Sequence, residues 1–153
     1  MNVVRLLAAL FILLALPAAA QAKDELVVGT TQYPSTLHPM VDSMLAKSIV
    51  LAAVRRPFTA YDPAWKEICL LCTQVPTLEN GLAKVEERDG KQGMAVTVTI
   101  RDGAKWGDGK PVTTADVVFA WDVGKHPQSQ VTAAEYYRRI TSIDVKDERT
   151  FTL

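Results

Sequence analysis

Two cysteines, Cys69 and Cys72, stand three positions apart, the spacing found in thiol–disulfide enzymes and in half of a zinc site. A zinc site would need about two further Cys or His ligands, but the only histidines, His38 and His126, stand alone in sequence. A redox motif should open a helix after a strand, whereas no clear strand precedes Cys69, and Pro76 follows closely. We therefore expect a structural disulfide in an oxidising compartment and keep thiol–disulfide chemistry as the alternative.

The remaining motifs do not have the spacing of a catalytic or cofactor site. Residues 106–110, Trp-Gly-Asp-Gly-Lys, lack the first glycine of a phosphate-binding loop because position 104 is Ala, and Pro111 replaces the metal-binding Ser or Thr. No Gly-x-Ser-x-Gly occurs, no serine has a readable base beside it, and the carboxylates are scattered through turns and helix starts. We predict no catalytic residue, no cofactor and no bound metal, and hence no enzyme.

Composition narrows the class of partner. The 153 residues carry 17 Lys and Arg against 17 Asp and Glu, and 48% of them are apolar. The chain lacks the basic excess that would neutralise nucleic-acid phosphates, and it is too apolar for a disordered protein. We therefore predict a globular protein that binds no nucleic acid.

The first 22 residues have the pattern of a secretory signal peptide. Arg5 supplies a positive charge, Leu6 to Leu16 form an unbroken apolar run, and small residues lead to a cleavage site after Ala22. The run is about half the length that crosses a bilayer. We expect an exported protein in a Gram-negative periplasm, with full secretion as the alternative.

The elements that would position these residues follow from periodicity and turn signals. A buried strand, an extended Pro-containing loop and an amphipathic helix come first, and a loop held by the cysteines follows. A hairpin, two helices and a second hairpin complete the chain. The predicted ranges are, in order, 25–30, 31–39, 41–54, 62–80, 82–87 with 94–100, 113–124, 133–139, and 140–145 with 150–153.

The last predicted strand has apolar side chains for which the sequence offers no covering element. Phe151 and Leu153 would project to one face of a sheet, and nothing in the sequence follows to cover them or to protect the strand edge. We expect this strand to be an uncovered edge and the architecture to be incomplete.

One long motif resembles a known family. The block from Val96 to Phe119, VTVTIRDGAKWGDGKPVTTADVVF, together with the signal, the Leu-Val-Val-Gly-Thr strand and Ser35 to Pro39, is similar to the family 5 extracellular solute-binding proteins. These are the periplasmic receptors of oligopeptide, dipeptide and nickel ABC importers. The sequence departs from the family pattern at His38, where an Asp is usual, and at an inserted loop that holds Cys69 and Cys72, and both departures leave the ligand class open.

The resemblance implies an α/β fold of the periplasmic binding protein type II kind, with the second lobe absent from this chain. Residues 1–22 would be the signal peptide, 23–60 the first strand and helix of lobe I, and 61–153 an incomplete accessory α+β subdomain. The extended segment after the first strand lines the cleft in the family, and here it consists of Gln32, Tyr33, Pro34 and Ser35.

The implied function is the capture of peptides or similar small solutes by a monomer, for delivery to an ABC importer permease in the inner membrane. On this view the 153-residue chain alone binds no solute with useful affinity, because half of its cleft is absent. Two alternatives stay open: a small periplasmic thiol–disulfide protein using Cys69 and Cys72, and a non-functional remnant of a truncated gene.

Overall fold

The computed structural model describes residues 24–88 and 90–153. The chain divides into a unit of residues 1–30, of which only 24–30 are described, and a compact unit of residues 31–153. The predicted signal peptide, residues 1–22, lies outside the described residues. The predicted division at residues 60 and 61 falls inside a strand and stays a prediction.

The described part of the 31–153 unit contains three helices and six strands. A two-stranded sheet pairs β1 with β2, and a four-stranded sheet has the order β3-β4-β6-β5. Every pair of neighbouring strands is antiparallel. In chain order the elements are α1 Leu45–Val54, β1 Thr59–Tyr61, β2 Glu67–Cys69, β3 Ala83–Arg88, β4 Lys91–Thr99, α2 Thr114–Lys125, α3 Ala134–Arg139, β5 Asp144–Val145 and β6 Thr150–Thr152.

The alternation along β4 separates the two faces of the sheet, as the sequence predicts. Val98 packs against the core, and Ile100, just beyond the strand, is completely buried. On the other face Thr97 lies opposite Thr152 of β6, with their hydroxyl oxygens 2.9 Å apart. Cross-strand threonine pairs of this kind add to the stability of a sheet.

The expectation of an uncovered last strand is wrong. Strand β6 lies between β4 and β5, and the Phe151 side chain is only 3% exposed. Its ring meets the ring of Phe58 edge to face, with centroids 6.1 Å apart, and it joins Ile100, Ala104 and Val112 in the core. The sheet order, which sequence spacing does not reveal, covers a residue for which the sequence pattern offered no partner.

Helix α2 begins where its sequence predicts. The Asp116 carboxylate accepts a hydrogen bond from the Thr113 backbone N–H at 2.8 Å, which satisfies a donor at the helix start. Thr114 is buried, and its Oγ1 donates to the carbonyl of Asp147 in the β5–β6 turn. The helix is thereby tied to the sheet by polar contacts as well as by packing.

Three boundaries differ from the predicted ones. Residues 25–30 belong to neither sheet and are exposed, because an apolar β-branched run forms a strand only where a neighbouring strand pairs with it. The first helix begins at Leu45 rather than Val41, since the chain bends at residues 41 and 42 and Met44 is extended. Strand β2 lies within the predicted loop 62–80.

No helix in the described part of the chain is long and apolar enough to cross a membrane.

The burial of Phe151 leads to a stability prediction. Replacing Phe151 with Ala should lower the free energy of unfolding by about 3–5 kcal/mol, because the change leaves a cavity in the core. Phe119→Ala is the matched control, since the Phe119 side chain is 70% exposed and should cost no more than about 0.5 kcal/mol. Urea unfolding followed by circular dichroism measures the free energy of unfolding of both variants. Equal losses of stability in the two variants would show that Phe151 is not a core residue.

Candidate ligand-binding segment

The predicted ligand-binding residues lie in an irregular loop that leads into α1. Gln32 and Tyr33 are exposed, and the Tyr33 side chain is 91% accessible to solvent. Pro34 is partly buried and Ser35 is exposed. Tyr33 therefore presents both its ring face and its hydroxyl to solvent, as a residue that contacts a bound molecule would.

Ser35 attaches this segment to the start of α1. Its hydroxyl donates to the Asp42 carboxylate at 2.6 Å, and its backbone N–H lies 3.4 Å from the sulfur of Met44, the residue that precedes the helix. Asp42 has a φ of +62°, a left-handed conformation that Asp tolerates better than most residues. Of the four predicted residues, Ser35 thus has an evident structural role and Tyr33 is the most available for contact.

The carboxylate of Asp42 is held in its ionised form. The hydrogen bond from the Ser35 hydroxyl is the largest cause that lowers the pKa of Asp42 below its ordinary value, and the Ser43 backbone N–H and the nearby positive charge of Lys47 lower the pKa further. The link between Ser35 and the turn is therefore present at neutral pH. It weakens as the pH falls through the lowered pKa, because a neutral carboxyl group is a poorer hydrogen-bond acceptor than a carboxylate.

Lys47 is a further residue of this region that the sequence patterns did not single out. Its side chain is buried, with 4% exposure, and its ammonium contacts the backbone carbonyls of His38, Val41 and Asp42. A signal was available, because Lys47 stands in the first turn of a helix, where a positive charge is disfavoured. That signal is weak, because it is the burial of Lys47, which the sequence does not show, that requires compensating acceptors.

The cysteine pair lies at the end of β2. Cys69 and Cys72 are bonded through their sulfur atoms, and their Cα atoms are 5.2 Å apart. Cys72 is buried at 4% exposure, and its backbone forms an isolated bridge with Ile100 of the core. The pair follows β2 and no helix begins at it, so the helix dipole that activates the cysteine of a redox motif is missing, which favours a structural role.

An apolar cavity of about 1020 Å³ also opens within the 31–153 unit. Its wall includes Phe58, Val98, Trp106 and Trp121, and the charged residues on it are mostly basic. Trp121 donates its Nε1–H to the Tyr137 carbonyl at 3.0 Å, whereas the Trp106 side chain is half exposed. Among residues 24–88 and 90–153, no cluster of His, Cys, Asp and Glu could hold a metal ion.

Comparison with known proteins covers the second half of the chain most clearly. Residues 77–153 match the family described as bacterial extracellular solute-binding proteins, family 5 Middle. Over 56 residues the chain is 45% identical to a probable peptide-binding protein, YejA, of Agrobacterium fabrum, a match that covers 37% of this chain and 9% of the relative. It is 43% identical over 61 residues to the oligopeptide-binding protein OppA of Bacillus subtilis, covering 39% of the chain and 11% of OppA.

Solved structures show the same fold. The oligopeptide binding protein of Thermus thermophilus, complexed with a pentapeptide, aligns with a TM-score of 0.66 and 35% identity over 76% of this chain and 19% of its own. The murein tripeptide binding protein MppA of Escherichia coli shares the fold, with a TM-score of 0.55 at 19% identity, over 78% of this chain and 24% of MppA. The mixed helix and sheet architecture is thus that of part of a peptide-binding protein, as predicted. The chain spans about a tenth of the length of the two curated relatives that it matches.

The hydrogen bond between Ser35 and Asp42 can be tested by titration. Ser35→Ala should raise the pKa of Asp42 towards its ordinary value, because the largest cause of the lowering is removed. Ser43→Ala is the control, since Ser43 contributes only its backbone N–H and should leave the pKa unchanged. Carbon-detected NMR of the Asp42 carboxyl group measures both. An unchanged pKa in Ser35→Ala would show that the hydroxyl does not bind this carboxylate in solution.

Replacing both cysteines and assaying insulin reduction together separate a structural from a catalytic role of the pair. Cys69→Ser with Cys72→Ser should lower the free energy of unfolding by about 2 kcal/mol, the loop-closure effect for so short a loop. Urea unfolding measures this loss, and the intact protein should not accelerate insulin reduction by dithiothreitol. Rapid insulin reduction together with unchanged stability would favour the thiol–disulfide alternative.

Proposed function

The chain belongs to the family 5 bacterial extracellular solute-binding proteins, and we propose that its part in that family is to contribute one wall of a peptide-binding cleft. The observation that carries this proposal is the combined match of the second half of the chain to the family and of its fold to a pentapeptide complex at 35% identity. The other relatives named above are peptide-binding proteins by description. Peptides and similar small solutes are therefore the proposed ligands.

The segment Gln32, Tyr33, Pro34 and Ser35 is the proposed contact surface. An irregular, extended backbone can pair with the main chain of a peptide, and the exposed Tyr33 ring adds a flat surface with a polar hydroxyl. Ser35 holds the end of the segment on Asp42, so Tyr33 is presented from a fixed base. A segment that is already ordered loses less conformational entropy on binding.

We propose the transport partner and the cellular location of this protein from its family. The signal-like residues 1–22 would direct export to the periplasm, and an ABC importer permease in the inner membrane would receive the solute from a monomeric binding protein. No chemical step is involved, because capture and release depend on domain closure around the ligand. The matched relatives are much longer, so binding would also need the part of them that this chain does not match.

Peptide binding can be measured in two forms of the protein. Calorimetry of the 153-residue chain with pentapeptides should show no saturable binding, because only one wall of the cleft is supplied. Residues 31–153, grafted in place of the equivalent fifth of the Thermus thermophilus protein, should restore binding. In that chimera Tyr33→Ala should weaken the affinity roughly tenfold, about 1.4 kcal/mol, through loss of aromatic contact.

Trp65→Ala in the chimera is the control for a general effect of removing an aromatic residue. The Trp65 side chain is 82% exposed but lies in the turn between β1 and β2, away in sequence from the proposed segment. A folded chimera that binds no pentapeptide would contradict the proposed function. Equal losses from both substitutions would contradict the role of Tyr33.

A further inference from the structure

The side chain of Lys47 is in an unusual position for a cation. It occupies the third residue of α1, where the helix dipole disfavours positive charge, and it is only 4% exposed to solvent. A buried ammonium is unfavourable unless polar groups replace its hydration. The groups that do so here come from the turn between the proposed ligand-binding segment and the helix.

Three backbone carbonyls surround the ammonium. Nζ donates to the carbonyl oxygen of Val41 at 2.7 Å, to that of His38 at 3.3 Å, and to that of Asp42. A lysine ammonium has three N–H donors and no acceptor, so these contacts use its full capacity. Lys47 therefore has no donor left for a ligand, which argues against direct binding and for a role in holding the turn.

The same turn is linked to the ligand-binding segment. Asp42 gives its carbonyl to Lys47 and its carboxylate to the Ser35 hydroxyl. His38 also gives its carbonyl to Lys47, while its Nδ1 accepts the Met40 backbone N–H at 3.2 Å. One buried ammonium thus stands at the centre of contacts that begin at Ser35 and end in α1.

We propose that Lys47 is a positioning residue: its ammonium gathers the carbonyls of residues 38, 41 and 42, and through Asp42 it fixes Ser35 and the neighbouring Tyr33 for ligand contact. The effect on the ligand rests on the proposed function, whereas the effect on the turn does not. A guanidinium spreads its donors over a plane, so arginine does not replace the compact ammonium here.

The wild-type chain, without peptide, provides the first test. The ¹⁵N resonance of the Lys47 ammonium should be observable by NMR at neutral pH and low temperature, because bound and buried N–H groups exchange slowly with water. Lys66, which is exposed, should show no such protection. Equally fast exchange of both ammonium groups would overturn the proposal without any substitution.

Variants of Lys47 test what the ammonium does to the turn. Lys47→Met keeps the apolar stem and removes the donors, and it should speed amide exchange at Met40 and Ser43 at least tenfold. The Ile100 amide, which donates to the Arg149 carbonyl in the core, should keep its protection. Lys66→Met, with the same change in charge, should leave all three amides unchanged. Unchanged exchange at Met40 and Ser43 in Lys47→Met would overturn the proposal.

Chemical rescue separates the ammonium from a general packing role. Lys47→Ala removes the equivalent of propylamine, so added n-propylammonium should restore slow exchange at Met40 and Ser43. Lys47→Met fills the same space and should not respond. A lack of rescue in a folded Lys47→Ala protein, judged by the Ile100 amide, would count against the carbonyl contacts as the cause.

The consequence for the ligand is measured in the peptide-binding chimera. Lys47→Met should lower pentapeptide affinity about tenfold, and Lys66→Met should not change it. If the turn loosens but affinity stays the same, the positioning role for ligand contact is overturned. If the chimera binds no peptide while the ammonium is protected in the wild-type chain, the proposed function fails and the role of Lys47 in the turn stands.

Discussion

The pairing of β4 with β6 is the contact on which the 31–153 unit depends. It brings together strands about 50 residues apart in sequence, Thr97 to Thr99 with Thr150 to Thr152. The pairing places Phe151 against Ile100 and Phe58, and it puts the β5–β6 turn where Thr114 of α2 can bind it. One strand pairing thus brings a core residue, Phe151, and the turn that receives α2 into place together.

The candidate ligand-binding segment is stabilised by different means. The core residues are apolar and come from the sheet and from the loops around it, whereas the turn before α1 is ordered by polar contacts from Asp42 and Lys47. Such contacts are directional, and each needs a specific partner. In the proposed function, this kind of order suits a surface that contacts a solute, because the apolar groups of such a surface are not all buried within the protein.

Local patterns predicted the elements that depend on near neighbours. The alternation of Val98 and Ile100 with threonines identified β4, and Thr113 with Asp116 identified the start of α2. Patterns failed where a distant partner decides. Residues 25–30 have strand composition but form no strand, and Phe151 has neighbours that no spacing rule could supply. Lys47 escaped notice because its acceptors are backbone carbonyls, which every residue carries.

The sequence by itself determined the family and the order of the main elements from Leu45 onward, because these depend on periodicity and one long motif, and the residues of the candidate segment are proposed from the family resemblance. Only the tertiary structure decided that Phe151 is core, that Cys72 is buried and that the Lys47 ammonium is enclosed by carbonyls. The physical reason is that burial and hydrogen bonding belong to pairs of groups. Sequence spacing does not specify which distant groups meet.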